Sequence, residues 1–257
     1  MNGSGTATTY VMVHSAFLGG WAWGPVASLL EKQGHKVIAL DLPGHGKDKT
    51  PPSEVTLESY VMTVTDVLDT QLNPVILVGH SLGGIIISQA AENRPDKVKA
   101  LVYLCAFLLP SGGSFMKATE GVKGSMVLDN LVMAEDKTYV TVKEEFMHEA
   151  FAHDVPEDAF AQAKPMIVPE PTAPLATPIS ITQEKWGRIP RYYVECLADK
   201  AIPPAVQKAM YTAIPVQKVF SMDTSHAPNF SAPQKLAEHL LAVAAGRPSS
   251  ASRISAN

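Results

Sequence analysis

A short segment flanked by glycines carries the strongest chemical signal in this sequence. Gly79-His80-Ser81-Leu82-Gly83 matches the pattern G-x-S-x-G and lies between a strand-like run at 74–80 and a helix-like run at 82–94. A turn this tight leaves little room for side chains beside the serine, which explains the glycines. It also exposes the serine hydroxyl beside the free N–H groups that begin the next helix. The pattern predicts that Ser81 is a nucleophile; the alternative is a glycine-rich turn with an idle serine.

A serine hydroxyl is a poor nucleophile unless a base removes its proton, so a histidine must lie nearby. The sequence has eight histidines, of which His226 follows the last strand-like run, 216–222, in a short loop. In a parallel sheet, that loop opens at the same edge as the turn that holds Ser81. We therefore predict that His226 is the base; a loop histidine without a catalytic role is the alternative.

The imidazole in turn needs a carboxylate that fixes its tautomer and stabilises its protonated form. Asp199 ends the strand-like run 191–199 at the same sheet edge, and the chain order serine, aspartate, histidine fits such a triad. Asp223 is a rival because it lies close to His226 in the chain, although its side chain need not reach the far ring nitrogen. We predict that Asp199 is the orienting acid and expect Glu195, within the strand, to be structural.

Acyl transfer also needs hydrogen-bond donors placed where the substrate oxygen becomes negatively charged. One donor should be the backbone N–H of Leu82, directly after the predicted nucleophile. The other should come from the loop 14–17 that follows the first strand-like run. Together these groups predict that an acyl group passes from an ester to serine and then to water.

The elements that must position these residues alternate along the chain. Short apolar runs predict strands at 10–14, 36–41, 74–80, 98–107, 191–199 and 216–222. Periodic apolar spacing predicts helices at 21–33, 57–71, 82–94, 203–213 and 232–244. This alternation favours an α/β fold whose parallel sheet is covered by helices on both faces. The pattern breaks in the middle, so we predict a core of 1–107 and 189–257 with a cap inserted at 108–188.

The composition excludes several classes of function. Of 257 residues, 46% are hydrophobic and 18% charged, which is typical of a globular protein with a large core. The net charge of −4 offers no basic surplus for nucleic acid or an anionic membrane surface, so neither is an expected partner. No apolar run reaches the roughly 18–20 residues that a membrane helix needs. The N-terminal residues do not resemble a secretory signal, so we expect a cytoplasmic protein.

The two cysteines, Cys105 and Cys196, lie in apolar runs and are expected to be buried free thiols. Their spacing does not fit a metal site, so none is predicted. The C-terminal residues 246–257 are polar and are expected to fray. The sequence leaves the oligomeric state open, with a homodimer among the options.

The motifs in combination resemble one branch of the α/β-hydrolases, which contains plant hydroxynitrile lyases, plant methylesterases and small bacterial carboxylesterases. The matching segments are VHSAFLGGWAW (13–23), VGHSLGG (78–84), YLCAFLLP (103–110), ECLADKAIP (195–203) and the loop at Ser225-His226. The resemblance implies an α/β-hydrolase fold, a mostly parallel central sheet with helices on both faces and a helical cap insertion. It implies Ser81, Asp199 and His226 as the triad, Ala16 and Leu82 as oxyanion donors, an apolar pocket and no cofactor.

Two departures from the family pattern bear on the activity. The lyases of this branch have a lysine directly after the catalytic histidine to meet the charge of departing cyanide, and Ala227 stands there. Lyases usually have threonine and esterases glycine where this chain has Ser15, whose hydroxyl either contacts the substrate or bonds to nearby backbone. We therefore favour hydrolysis of a small-to-medium hydrophobic carboxylic ester over carbon–carbon cleavage. A non-catalytic small-molecule receptor and acyl transfer to another acceptor remain alternatives.

Apolar side chains near these motifs are candidates for the pocket. Phe17, together with Ser15, is predicted to line it, whereas Trp21 and Trp23 are expected to pack in the core. Several methionines of the inserted region form either an adaptable apolar lining or ordinary packing between cap and core: Met116, Met126, Met133, Met147 and Met166. Family analogy points to hydrophobic or aromatic esters, including bulky ones such as pyrethroids.

Overall fold

The computed structural model of the chain describes residues 7–246. Residues 1–6 and 247–257, with most of the polar C-terminal tail considered above, lie outside the described residues. The strands are β1 (Thr9–Val13), β2 (Lys36–Ala39), β3 (Val75–His80), β4 (Val98–Leu104), β5 (Leu131–Met133), β6 (Tyr139–Val142), β7 (Glu170–Pro171), β8 (Arg191–Cys196) and β9 (Lys218–Met222). The α-helices are α1 (Gly24–Glu31), α2 (Leu57–Thr70), α3 (Gly83–Asn93), α4 (Phe115–Thr119), α5 (Met126–Asp129), α6 (Glu144–Phe151), α7 (Glu157–Ala163), α8 (Thr172–Ala176), α9 (Pro204–Ala213), α10 (Pro228–Ser231) and α11 (Pro233–Ala244).

The central sheet within residues 7–246 has six strands in the order β2-β1-β3-β4-β8-β9, all parallel. This confirms the predicted α/β architecture. The pairs His80↔Leu104 and Cys196↔Met222 align the carboxyl ends of the strands that precede the predicted site residues. One edge of the sheet therefore receives the turns after β3, β8 and β9.

Helices cover both faces of the sheet, as the apolar strands require. On one face, α2 and α3 pack together, and side chains such as Leu68 and Ile87 join the larger core cluster. On the other face, α1 packs on α11, with Leu30 and Leu240 fully buried in a second cluster. The first turn of α2 is closed by a capping box in which Thr56 and Ser59 bond to each other's backbone N–H.

The chain between β4 and β8, here called the β4–β8 segment (residues 105–190), contains α4 to α8. It also contains a three-stranded antiparallel sheet, β5-β6-β7, which was not predicted from the sequence. Its strands have only two to four residues, too short to show an alternating pattern. Both cysteines are buried and free, as predicted. In the described part of the chain, no helix combines the length and apolar character needed to cross a membrane.

Candidate active site

Ser81 lies in the tight turn between β3 and α3. Its backbone has a φ of +55°, a strained value for a residue with a side chain. The turn is held by the Ser81 N–H, which donates to the Leu104 carbonyl at 3.1 Å. A Cβ on Gly79 would lie 2.6 Å from the Gly83 carbonyl oxygen, and one on Gly83 would lie 2.9 Å from that of Val13. The glycines of the motif are therefore required by the close approach of backbone to backbone.

His226 lies in the loop after β9, and its side chain is buried. Its Nδ1 is 2.7 Å from Oδ2 of Asp199, which follows β8. Within residues 7–246, Nε2 of His226 has no hydrogen-bond partner, and His226 and Ser81 line one cavity. Asp223 is exposed, so the structure brings Asp199 and not its rival to the imidazole.

The Asp199 carboxylate is fully engaged. Oδ1 accepts hydrogen bonds from the backbone N–H groups of Ala201 at 2.7 Å and Ile202 at 2.9 Å. Oδ2 accepts from Nε2 of Gln207 at 2.9 Å as well as from His226. These donors occupy both carboxylate oxygens and fix their orientation. Gln207, fully buried on α9, was missed from the sequence because its spacing after Asp199 shows no distinctive pattern.

The backbone of His226 is held from behind by the core sheet. The Nε2–H of His80 donates to the His226 carbonyl at 2.8 Å, and the Cys105 thiol donates to the same oxygen at 3.7 Å. Burial, with the nearby His226 ring, lowers the pKa of His80 well below its ordinary value, which keeps this ring neutral. Ligating atoms of these three residues lie within 4.8 Å of one another. Because two of them aim donors at a carbonyl, the arrangement serves hydrogen bonding rather than metal binding.

The loop after β1 supplies the second group of backbone donors. His14 donates from Nδ1 to the Ser15 carbonyl at 2.8 Å, while its Nε2 accepts from the Leu42 N–H. The Ser15 hydroxyl donates to the Ala16 carbonyl at 3.0 Å, which is the predicted backbone bond, and Ser15 also lines both cavities at this site. The N–H groups of Ala16 and Leu82 have no hydrogen-bond partner among the described residues and remain available to an oxyanion.

Strained backbone concentrates at this site. Among the described residues, four that are not glycine have a positive φ, and three of them are Phe17, Ser81 and Cys105. All three lie just after core strands at the edge where the predicted site residues meet. Such strain persists only where the surroundings enforce it, and it is typical of functional sites.

Two apolar cavities meet at His226. The first, here called the serine cavity, has a volume of about 40 Å³. The residues that line it but not the second cavity include Ser81, Leu82, Phe107, Phe115, Leu175 and Ile202. The second, here called the histidine cavity, has a volume of about 180 Å³. The residues that line it but not the first include Trp21, His80, Val155, Phe160, Ala227 and Phe230. Both are lined by Ser15, Ala16, Phe17, Phe151 and His226. Among the described residues that line them there is no lysine or arginine, so neither cavity holds the cation that a lyase needs.

The surrounding aromatic and methionine side chains depart partly from expectation. Phe17 lines both cavities, as predicted, and Trp23 packs in the core. Trp21 was expected in the core but lines the histidine cavity against Phe230, with ring centroids 5.9 Å apart. The methionines of the β4–β8 segment line neither cavity: Met116, Met133 and Met166 are exposed, and Met126 and Met147 pack against the core.

Comparison with known proteins agrees with the fold. A model of the alpha/beta hydrolase family matches residues 10–239. The pyrethroid hydrolase of Sphingobium wenxiniae is 36% identical over 242 residues, covering 91% of this chain and 86% of that protein. Methylesterase 7 of Arabidopsis thaliana is 34% identical over 248 residues, covering 91% of this chain and 95% of that protein.

Solved structures give the same result. The crystal structure of a pyrethroid hydrolase from Sphingobium faniae JZ-2 superposes with a TM-score of 0.85 at 33% identity, over 93% of this chain and 98% of that chain. The predicted resemblance is thus confirmed at the level of sequence and of fold. The chain belongs to the alpha/beta hydrolase family.

Proposed function

We propose that this chain is a serine hydrolase that cleaves carboxylic esters through an acyl-enzyme. The observation that carries the proposal is the buried pair of His226 Nδ1 and Asp199 Oδ2 at 2.7 Å. Nε2, the other ring nitrogen of His226, has no hydrogen-bond partner within the described residues, and Ser81 and His226 line the same cavity. This arrangement has the parts of a nucleophile, a base and an orienting acid, which together activate a serine hydroxyl.

In the acylation step, Oγ of Ser81 attacks the ester carbonyl carbon while its proton passes to Nε2 of His226. The carbonyl oxygen becomes an oxyanion, which accepts hydrogen bonds from the N–H groups of Ala16 and Leu82. The intermediate then collapses: the carbon–oxygen bond to the alcohol breaks, and His226 returns the proton to the departing oxygen. Asp199 holds the imidazole in the required tautomer and stabilises its protonated form.

In the deacylation step, water takes the place of the alcohol. His226 removes a proton from the water, whose oxygen attacks the acyl-enzyme and forms a second oxyanion intermediate. The bond to Ser81 Oγ breaks, the proton returns to that oxygen, and the carboxylic acid leaves. The β4–β8 segment acts as a cap, because residues such as Phe115 and Phe151 line the cavities beside the reacting atoms.

The two cavities indicate which half of the ester lies where. The acyl group stays bonded to Ser81, so it occupies the serine cavity, which Ser81 and Leu82 line. The alcohol oxygen must receive a proton from His226, and the cavity that continues on that side is the histidine cavity. An apolar cavity of roughly 150 Å³ holds a benzene ring, so about 180 Å³ accommodates an aromatic alcohol.

We therefore propose that the substrate is an ester of a ring-sized apolar alcohol. Among the relatives, one is named for pyrethroids and another for methyl esters. A methyl group would leave most of the histidine cavity unfilled. The volume of this cavity therefore supports a ring-sized alcohol over methanol. The smaller serine cavity, at about 40 Å³, supports a compact acyl group.

The proposed nucleophile can be tested by labelling. The purified protein is treated with a fluorescent fluorophosphonate, and the labelled peptide is identified by mass spectrometry. We expect one label on the peptide that contains Ser81, no label in Ser81→Ala, and loss of ester hydrolysis in both the labelled enzyme and the variant. A folded, unlabelled wild-type protein without esterase activity would overturn the proposal.

The proposed alcohol preference can be tested with two acetates whose alcohols have similar acidity. We expect kcat/KM for benzyl acetate to exceed that for methyl acetate by about tenfold or more, since each buried apolar carbon adds transition-state binding. Ala163→Phe, which fills the histidine cavity, should lower this preference. Ala161→Phe is the matched control because Ala161 lies on the same helix, is exposed and lines neither cavity. Equal rates for both acetates would contradict the assignment of the cavities.

A further inference from the structure

Glu170 on β7 is a buried carboxylate that no sequence pattern indicated. It is 1% exposed and lines the serine cavity. Its Oε2 accepts from the Phe17 backbone N–H at 3.1 Å and lies 2.9 Å from Nε2 of His45. Its Oε1 accepts from the Tyr60 hydroxyl at 3.0 Å. A charge this deeply buried is stable only when each oxygen has donors, as both oxygens have here.

The loop of residues 14–17, which carries the proposed oxyanion donor Ala16, is here called the oxyanion loop. These bonds hold one of its peptide planes at both ends. The peptide between Ala16 and Phe17 accepts a hydrogen bond at its oxygen from the Ser15 hydroxyl and donates one from its nitrogen to Glu170. The next carbonyl, that of Phe17, accepts from the Val168 N–H at 2.9 Å. Phe17 has a φ of +68°, a strained conformation that such bonds can maintain. The N–H of Ala16 belongs to the preceding peptide plane, which joins this one at the Ala16 Cα, so holding this plane helps to aim that N–H.

The charge of Glu170 is balanced by His45. Both ring nitrogens of His45 lie within hydrogen-bond distance of acceptors, the Pro43 carbonyl at 3.1 Å and Glu170 at 2.9 Å, a geometry that suits an imidazolium with a proton on each nitrogen. Burial alone would lower the pKa of His45, but the adjacent Glu170 carboxylate and its hydrogen bond raise it above its ordinary value. Without this balance, a carboxylate facing the serine cavity would oppose the negative charge that develops on the substrate oxygen.

We propose that Glu170 is a positioning residue of the oxyanion hole, which holds the Ala16 N–H in place through Phe17 while His45 neutralises its charge. This inference rests on the proposed ester hydrolysis and deepens it. It assigns the β4–β8 segment a role in transition-state stabilisation in addition to forming cavity walls. A donor that is held in advance stabilises the oxyanion without reorganising during the reaction.

The test compares Glu170→Leu, which removes the acceptor, with Glu170→Gln, which keeps an oxygen for the Phe17 N–H. The matched control is Glu92→Leu, because Glu92 is also buried and accepts backbone N–H bonds from Thr182 and Trp186, yet lines neither cavity. We expect both leucine variants to lower Tm. Only Glu170→Leu should lower kcat, by about 10- to 100-fold with little change in KM, somewhat less than deletion of a whole donor. Glu170→Gln should recover most of that kcat.

A trifluoromethyl ketone inhibitor separates this role from general stability, because its adduct with the proposed nucleophile carries an oxyanion. Its inhibition constant should rise in Glu170→Leu by the same factor by which kcat/KM falls, and should not change in Glu92→Leu. Equal kinetic losses in both leucine variants, or an unchanged kcat in folded Glu170→Leu, would overturn the proposal. If wild type lacks esterase activity, the proposed function fails instead.

A pH profile decides the case if Glu170→Leu does not fold. The charged or titratable groups around His45 are Glu170, Tyr60, His14, Asp41 and Asp48. In wild type, loss of the His45 proton at high pH leaves Glu170 uncompensated, so kcat should fall there. Glu170→Gln removes the carboxylate, so this fall should disappear. An identical high-pH profile in wild type and Glu170→Gln would overturn the proposal.

Discussion

The core sheet and the β4–β8 segment contribute to the candidate site in different ways. Ser81, Asp199 and His226 each follow the carboxyl end of a core strand, so the parallel register brings them to one edge. Glu170 and Phe151 belong to the β4–β8 segment and meet the site through contacts with residues distant in the chain. The core thus supplies the groups proposed to react, whereas the segment supplies cavity walls and a carboxylate that contacts the loop of residues 14–17.

The largest effect should arise on the core side, from Asp199→Asn. The amide keeps the shape of the carboxylate but stabilises the wrong tautomer of His226, so kcat should fall by about 10⁴. Asp223→Asn is the matched control, since Asp223 is exposed on the same loop as His226, and it should keep a rate close to that of wild type. Steady-state kinetics on a reactive ester measures both. A large loss of kcat in Asp223→Asn, with an unchanged kcat in Asp199→Asn, would assign the role of the orienting acid to Asp223.

A smaller effect should come from Gln207, which supports Asp199 without touching the imidazole. Gln207→Leu removes the bond to Asp199 Oδ2, a hydrogen bond to a charged group worth roughly 1.5–3 kcal/mol, so kcat should fall by about tenfold or more. Gln89→Leu is the control, because Gln89 accepts a hydrogen bond from the Ser180 N–H and lines neither cavity. An unchanged kcat in folded Gln207→Leu would show that the backbone N–H groups of Ala201 and Ile202 suffice to hold Asp199.

The smallest effect is on stability and comes from the contact of Glu170, in the β4–β8 segment, with His45. The pKa of His45 is raised in the folded chain by Glu170, against the effect of burial. Its stabilising contribution is therefore fully present below about pH 6.5 and is lost as the pH rises through the folded pKa. The difference in free energy of unfolding between wild type and His45→Gln, of about 1–3 kcal/mol at low pH, should shrink as the pH rises above about 6.5 and through the raised pKa of His45.

Urea unfolding at a series of pH values measures this difference, and a second histidine gives a control of opposite sign. Burial lowers the pKa of His239, so its effect on stability should appear as the pH falls. His239→Gln should therefore gain stability relative to wild type at low pH. A constant difference between wild type and His45→Gln across the range would show that the His45–Glu170 pair does not titrate as proposed.

The core and the β4–β8 segment also differ in how far the sequence predicts them. Each core strand is a short apolar run, and the candidates Ser81, Asp199 and His226 stand directly after such runs, so local pattern and parallel topology suffice to bring them together. The contacts of Glu170 span 153 residues to Phe17 and 125 to His45, and no local pattern encodes them. The short strands of the β4–β8 segment escaped prediction for the same reason, because their partners and not their composition define them.

The β4–β8 segment also limits what the sequence predicts for individual side chains near the site. Ser15 was left between two roles, and the bond to the Ala16 carbonyl depends on the conformation of a loop that the β4–β8 segment helps to hold. Trp21 was expected in the core, yet it lines a cavity to which the β4–β8 segment contributes many of the other residues. The prediction for Trp21 was thus wrong where the second region contributes, whereas Phe17 lines the cavities as predicted.

The central claim is that Ser81 becomes acylated by the ester with His226 as base, and a rapid-mixing experiment tests it most directly. The enzyme is mixed with excess p-nitrophenyl acetate, the release of p-nitrophenol is followed in the first turnovers, and acid-quenched protein is digested and weighed. We predict a burst close to one equivalent per chain and an acetyl group on the peptide that contains Ser81, with neither in Ser81→Ala. Hydrolysis by wild type with the acetyl group on a different residue, or a full burst from Ser81→Ala, would contradict the account.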